Sequence, residues 1–451
     1  MFRGTRIISL VVLASMFALP SGCRFDPGGI APYDSSRPIE GAVAVDQRID
    51  AQIYDVTPDL VSPYDLPLIK PPDLTVPDGQ TTPYGPANIS SIWWAYGNGD
   101  LTIGSGQTVS IDTSYTSSSL PLPGGVGLFN DVDSKYTILT VEDLTVESGG
   151  TLEAHGTRPL VIAASGSVVI AGTVVLSAGG KTPGAGGGIG GGRASAGSGC
   201  GGGGAGEFKL FDVDTGGAGA SFGGKGGKGG NGPVALDPLQ CYYAVSCLQF
   251  CVSDCITPLI GGSGGGGGSA GVGGEGGGGG GALQISAAVK VQVTGVIVAS
   301  GGAGGGGSGA GGSGGGGGSG GAILLEGLTV EFSGNGTAAA NGGGGGGGGA
   351  AFIGGDPGED GNPTKDPAGG GDGAYEFFGA SKGGKGGQGS GHGDSAVIGG
   401  AGNEGSGVEY GNGGGGGGSG RICIRANSFA PGTFSPQTSA SSFAFAVIPF
   451  P

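Results

Sequence analysis

The chain has 451 residues, of which 119 are glycine and only 12% are charged, and its formal net charge is −16. Glycine has no side chain to pack and weakens helices, so a conventional enzyme filling the whole chain, a helix bundle and a coiled coil are excluded. Collagen is excluded because glycine does not recur at every third position along the chain and proline is modest. The acidic balance argues against nucleic acid as a partner.

Arg3 and Arg6 precede an apolar run from Ile7 to Leu19, then small residues and Cys23. A charged start, a short apolar core and a small-residue processing site mark residues 1–22 as an export signal. As a helix the run spans roughly 20 Å, short of a membrane crossing. The stretch Leu19-Pro20-Ser21-Gly22-Cys23 resembles the lipobox of bacterial lipoproteins, whose cysteine becomes the lipidated N-terminus. Ser21 and Gly22 fit that pattern. Pro20 departs from it, since the family prefers leucine there and Leu19 stands one step further away. The resemblance implies lipid attachment at Cys23 and the membrane as a partner, against the plainer reading of an ordinary secretory signal that leaves a free cysteine. In that family an aspartate after the cysteine commonly signals inner-membrane retention. Arg24 at that place therefore implies the outer membrane with surface exposure, the alternatives being a periplasmic or secreted protein.

Lipidation of Cys23 leaves six cysteines, Cys200, Cys241, Cys247, Cys251, Cys255 and Cys423. An even number suits disulfides in an oxidising compartment, and sequence does not choose among their connectivities.

Residues 23–90 read as the lipidated cysteine followed by a disordered tether. Pro58-Asp59-Leu60, Asp65-Leu66-Pro67, Pro72-Asp73-Leu74 and Pro77-Asp78 give it a rough cadence. Prolines at this density block helices and sheet ladders, and the excess of acid keeps the segment solvated and extended.

Residues 91–451 read as one repeating body. LVIAASGSVVIAGTVVLSAGG at 160–180 aligns without gaps with LQISAAVKVQVTGVIVASGGA at 283–303, an offset of 123. Leu160 matches Leu283, Ile162 matches Ile285, Val168 matches Val291, Ile170 matches Val293, Gly172 matches Gly295 and Val174 matches Ile297. The unit recurs with one residue deleted at Ile323-Leu324-Leu325 and Val330-Glu331-Phe332, and again at Ile422-Cys423-Ile424 with Phe429 and Gly432. Leu101 and Val109 keep the spacing of eight seen at Leu160 and Val168, and residues 138–153 hold a less regular copy. About six units result. Each holds alternating triplets that place apolar residues on one face of a strand, separated by corner residues. No unit can bury its face alone, but stacked units can. The expected fold is all-β, a right-handed parallel β-helix or solenoid. A β-sandwich, the competing fold, does not predict equal register across units.

Three glycine-rich insertions, 179–282, 301–321 and 342–420, all leave after the last strand of a unit and return before the first triplet of the next. Insertions at one place in a repeat map to one face. Two states are open for them: floppy loops, or extended polyglycine II chains rising about 3.1 Å per residue and bonding to one another. The common exit point favours the ordered sheaf.

Candidate chemistry is sparse. Cys247, Cys251 and Cys255 are spaced by four, but the CxxC knuckles of zinc sites are absent, so disulfides are the better reading. His155 and His392 have no nucleophile or acid in register and read as surface residues. Asp356, Glu359, Asp360, Asp366 and Asp372 cluster between glycine runs and are weak calcium candidates; a solvated acidic loop is the plainer reading. Gly383-Gly384-Lys385 lacks phosphate-loop spacing. Trp93-Trp94 opens the body and Phe443, Phe445 and Phe450 close it, as caps would, with sugar stacking the sharper alternative. Outward positions such as Val161, Val169 and Val175 are apolar, unlike an enzyme face.

The L-x-I…V-x-I-x-G units followed by glycine runs resemble glycine-rich secreted or surface-anchored bacterial proteins with β-solenoid repeats. In composition alone the chain also resembles phage adhesin tips built on polyglycine II bundles. Those families imply surface display, adhesion or matrix roles and no catalysis. The expected function is a non-enzymatic surface lipoprotein with a structural or adhesive role, needing no cofactor. Its expected partners are the membrane and a glycan or other envelope polymer. The alternative is a β-helix protein that binds or degrades polysaccharide.

Overall fold

The computed structural model describes residues 84–131, 133–208, 214–232, 256–269, 271–309, 311–350, 352–374, 383–390 and 410–435, together with the backbone of 445–448. The export signal, Cys23 and most of the expected tether lie outside these residues. So do Cys241, Cys247, Cys251, Cys255, His392, Phe443 and Phe450. Among the described residues there is no α-helix.

A 3-10 helix, Ser91–Tyr96, comes first. Strands β1 (Leu101–Ile103), β2 (Thr108–Asp112), β3 (Ser117–Ser118) and β4 (Gly127–Asn130) follow. Two further passes of the chain comprise β5 (Thr137–Val141), β6 (Leu144–Val146) and β7 (Thr151–His155), then β8 (Leu160–Ala164), β9 (Ser167–Ile170) and β10 (Thr173–Val175). In the next passes the first two strands fuse. These passes are β11 (Ala282–Val293) with β12 (Val296–Val298), β13 (Ala322–Phe332) with β14 (Thr337–Ala339), and β15 (Arg421–Ala430) with β16 (Thr433–Ser435). Strand β17 (Phe445–Ile448) ends the series.

The strands stand in three parallel columns. The first contains β5, β8, the N-terminal halves of β11, β13 and β15, and β17. The second contains β1, β6, β9 and the C-terminal halves of β11, β13 and β15. The third contains β2, β7, β10, β12, β14 and β16. Antiparallel pairing is confined to β2 with β3 and β4 with β5, at the N-terminal end.

Register follows the sequence repeat. Leu160 pairs with Leu283, Ile162 with Ile285, Val168 with Val291 and Val174 with Ile297. The residue deleted from later units is absorbed by a register shift between Ala287 and Lys290. One expected alignment is corrected. Leu101 does not share a column with Leu160; it pairs with Leu144, which pairs with Val168. Alternating triplets are interchangeable between columns, and the 3-10 helix packs against the first column at this level, on β5 and β8.

Inward side chains stack between the columns. Ile162, Ile285, Leu325 and Ile424 are successive register partners, and all four are fully buried. Each contributes about 1.5–3 kcal/mol by leaving water. The outer face of the first column is also buried, against expectation. Val161 belongs to a second apolar cluster with Trp93, Trp94, Tyr136, Ile138, Leu259 and Leu324. Residues 84–96 and 256–260 cover it, so the folded body begins before residue 91. Val169 and Val175, in the other columns, are half-buried.

Candidate interaction surface

The three insertions leave the third column and return to the first: β10 to β11, β12 to β13, and β14 to β15. Between these points extended glycine chains run side by side, bonded at every third residue. Gly262, Gly265 and Gly268 donate to the carbonyls of Gly280, Gly277 and Gly274, each at 2.8 Å. Gly274, Gly277 and Gly280 donate onward to Ser313, Gly316 and Ser319. Gly314, Gly317 and Gly320 donate to Asn412, Gly415 and Gly418.

This period of three gives each chain several bonding directions. Residues 262–268 illustrate it. They receive bonds from Gly188, Gly191 and Ala194 on one side and from Gly203 and Gly206 on another. They donate to Ser195 and Ser198, to Ala218, and to the 274–280 chain, while Gly316 and Ser319 donate into residues 263–266. Six neighbours thus surround one chain. Residues 342–349 are surrounded likewise, by chains from 301–307, 312–318, 356–359, 371–374, 384–390 and 411–417. Backbone groups that an isolated extended chain would leave to water find partners here.

Glycine is required by distance. A Cβ on Gly265 would lie 2.1 Å from Gly316 O, on Gly266 2.0 Å from Gly204 O, and on Gly267 1.9 Å from Gly192 O. Side chains therefore appear where a chain faces solvent, at a spacing of three: Lys225, Lys228 and Asn231 on one chain, Lys385 and Gln388 on another. That spacing is visible in GGKGGKGGN and GGKGGQG, and testing Gly383-Gly384-Lys385 only against phosphate-loop spacing missed it. Buried serines pair across neighbouring chains. Ser263 N–H donates to Ser319 Oγ (2.8 Å) and Ser269 N–H to Ser313 Oγ (2.7 Å).

Bulk returns at the turns. At the end away from the columns the turns bond to one another. Ser308 N–H donates to Val272 O (2.7 Å), Gly349 N–H to Gly312 O (2.7 Å), and Arg193 Nη1 to Gly271 O (2.7 Å). Here Phe352 is 98% exposed, Phe208 59%, Ile353 44% and Val272 37%. These apolar side chains are open to water and available for contact.

The residues singled out from sequence do not converge. Cys200, half-buried in the sheaf, and Cys423, buried on the outer face of β15, are both disulfide-bonded. His155 ends β7 in an exposed position, its Nδ1 3.3 Å from Ser110 Oγ and its Nε2 3.8 Å from Asp112 Oδ2. The acidic candidates serve the backbone and surface ion pairs. Asp360 Oδ1 accepts from Gly180 N–H (3.0 Å) and Ala303 N–H (2.7 Å), Glu359 from Gly369 N–H (2.9 Å), and Asp372 lies 3.2 Å from Lys385 Nζ. Asp366 takes part through its N–H, which donates to Thr364 Oγ1 (3.2 Å). Among the described residues no three His, Cys, Asp or Glu side chains are grouped to hold a metal ion. Among them, too, no helix is long and apolar enough to cross a membrane.

One polar cluster had no sequence signal. Ser286, Glu326 and Arg425 are register partners on β11, β13 and β15, all on the outer face of the first column. Glu326 is fully buried and accepts from Ser286 Oγ (2.5 Å), Gln284 Nε2 (2.8 Å), Ala87 N–H (3.1 Å) and the Arg425 guanidinium. Burial raises its carboxyl above the ordinary glutamate range, while Arg425, Ser286 and the Ala87 N–H pull it back. Burial, then the Glu326 charge, pushes the Tyr84 phenol far up. Residues 84–88 close over this cluster and fasten to it. No known protein-family model matches the chain, and it has no significant match among curated proteins or solved structures.

Proposed function

We propose that the chain is an exported, lipid-anchored, non-enzymatic surface protein that adheres through the turns of its glycine sheaf. In this reading three columns visited in constant order are a right-handed β-solenoid, the hand that parallel crossovers adopt. Bonds at every third residue and six neighbours per chain make the insertions a polyglycine II sheaf. Cys23 carries the lipid, an outer-membrane address displays the body, and the segment before residue 84 is the tether.

The observation that carries the adhesive role is the distribution of side chains. The sheaf interior admits almost none, so recognition chemistry is pushed to its solvent-facing rows and its turns. The turns carry four of the exposed large apolar side chains, Phe208, Val272, Phe352 and Ile353, with Phe352 the most exposed. The partner is an envelope polymer or a glycan that offers an apolar face to these side chains. A glycan and cell-surface array probed with the full chain tests this. Binding should be lost on Phe352→Asp combined with Phe208→Asp and kept on Lys225→Ala. Equal binding by all three proteins would remove the turns from the contact.

A further inference from the structure

Residues 84–96 meet the columns far from where the passes begin. Arg425 Nη1 on β15 donates to Gly85 O (3.4 Å), and the Ala87 N–H donates to both carboxyl oxygens of Glu326 on β13 (3.1 and 3.3 Å). On β11 the Tyr84 hydroxyl donates to Ala287 O (3.0 Å), Asn88 Nδ2 to Gln284 Oε1 (2.9 Å) and Trp94 Nε1 to Ser286 O (3.0 Å). Asn88 also donates to Ile256 O (3.0 Å) and accepts from the Leu259 N–H (3.0 Å). The 3-10 helix then packs on β5 and β8, with the Trp93 ring 5.9 Å from that of Phe129 on β4. The segment crosses the first column from β15 back to β5, against the order of the passes, before β1 starts the first of them.

We infer that residues 84–96 are a strap that delivers tension from the N-terminal stretch into β11, β13 and β15 together, bypassing β1. The inference rests on the tether reading above. A parallel stack pulled by its first strand opens like a zipper, and the passes before β10, which carry no glycine insertion, each lose only their own few bonds. A strap fastened to three strands must lose its bonds and its buried rings in one event. A simple apolar cap would need the rings alone. Polar contacts to three successive strands, two of them through the buried Glu326 and the half-buried Arg425, are what a cap does not require. Losing the strap breaks the Ala87 bond to Glu326 and uncovers the buried rings of Tyr84, Trp93 and Trp94 in the same event.

The test is single-molecule pulling of the full chain, held at its N-terminus and through a handle on Gln388→Cys, an exposed sheaf position. The intact protein should resist until one cooperative rupture. Glu326→Ala, which removes the fastening to β13 and leaves those to β11 and β15, should lower the force of that rupture. If Glu326→Ala does not fold, Asn88→Ala with Trp94→Phe removes two strap bonds while keeping an aromatic ring, and should lower the first rupture. Pass-sized steps in the unaltered protein, or identical traces for it and the folded variant, would overturn the strap. Membrane fractionation of Cys23→Ser tests the anchor separately: release supports the tether reading and retention sinks it, whichever way the pulling result falls.

Discussion

Glu326 and Arg425 are register partners on adjacent parallel strands, and they form an ion pair in which Glu326 is fully buried and Arg425 largely so. In a body whose other ion pairs among the described residues are solvent-accessible, this pair marks where the polypeptide entering the fold is fastened. Burial makes its energetics unlike those of a surface pair, and three expectations about the body start from contrasts of this kind.

The first concerns pH. The folded-state value of Glu326 is raised by burial above that of the unfolded chain. Stability from such a group is fully present below the unfolded value and is lost as pH rises through the folded one. From about pH 4 upward, the reference range for glutamate, the protein should lose stability through this group. Glu326→Gln, neutral throughout, should flatten that decline. Urea unfolding of both proteins across this range is the measurement. A wild type that gains on the variant as pH rises would show the carboxyl is depressed instead.

The second concerns the sheaf. A Cβ at Gly267 would press to 1.9 Å from Gly192 O, whereas a Cβ at Gly192 meets nothing within 4 Å. Gly267→Ala should cost about 1–3 kcal/mol, the usual range for overpacking. It should also speed amide exchange along residues 262–268. Gly192→Ala should leave both close to wild type. Immediate exchange of the 262–268 amides in the unaltered protein would mean that the chains are loops and that their bonds do not persist in solution.

The third separates the column interior from its rim. Ile285 lies fully buried between Ile162 and Leu325. Ile285→Ala should cost about 2–5 kcal/mol through lost burial and the cavity left behind. Lys290, on the same strand, is paired with Glu331 at 2.7 Å, with both side chains partly open to water. Lys290→Ala should cost about 0–1 kcal/mol. Chemical denaturation distinguishes them, and equal losses would contradict the assignment of faces along β11.

Legibility in the sequence varied with the range of the interaction. The offset of 123 between 160–180 and 283–303 is read directly as paired strands, because apolar alternation and register are properties of neighbouring passes. The same alternation misplaced Leu101, since a triplet carries no mark of the column it joins. Val161 reads as outward and is outward, yet it is buried, because what covers it comes from residues far away in the chain. The spacing of three that exposes Lys225 and Lys228 was present as a pattern. Its meaning needed the neighbouring chains that forbid side chains at the positions between.

Composition and repeat thus determined an all-β body, the passes that stack on one another, and the points from which the glycine leaves. These follow from local alternation and from the absence of side chains, which a linear string records. Tertiary structure alone decided that glycine chains as far apart as Gly266 and Gly316, or Gly317 and Gly415, bond to one another on several sides. It alone brought Ala87, Glu326 and Arg425 together, and it turned Phe352 and Phe208 outward. A hydrogen bond between distant chains leaves no periodic mark on either one, and a lone glutamate on a strand gives no sign of the arginine that will lie beside it.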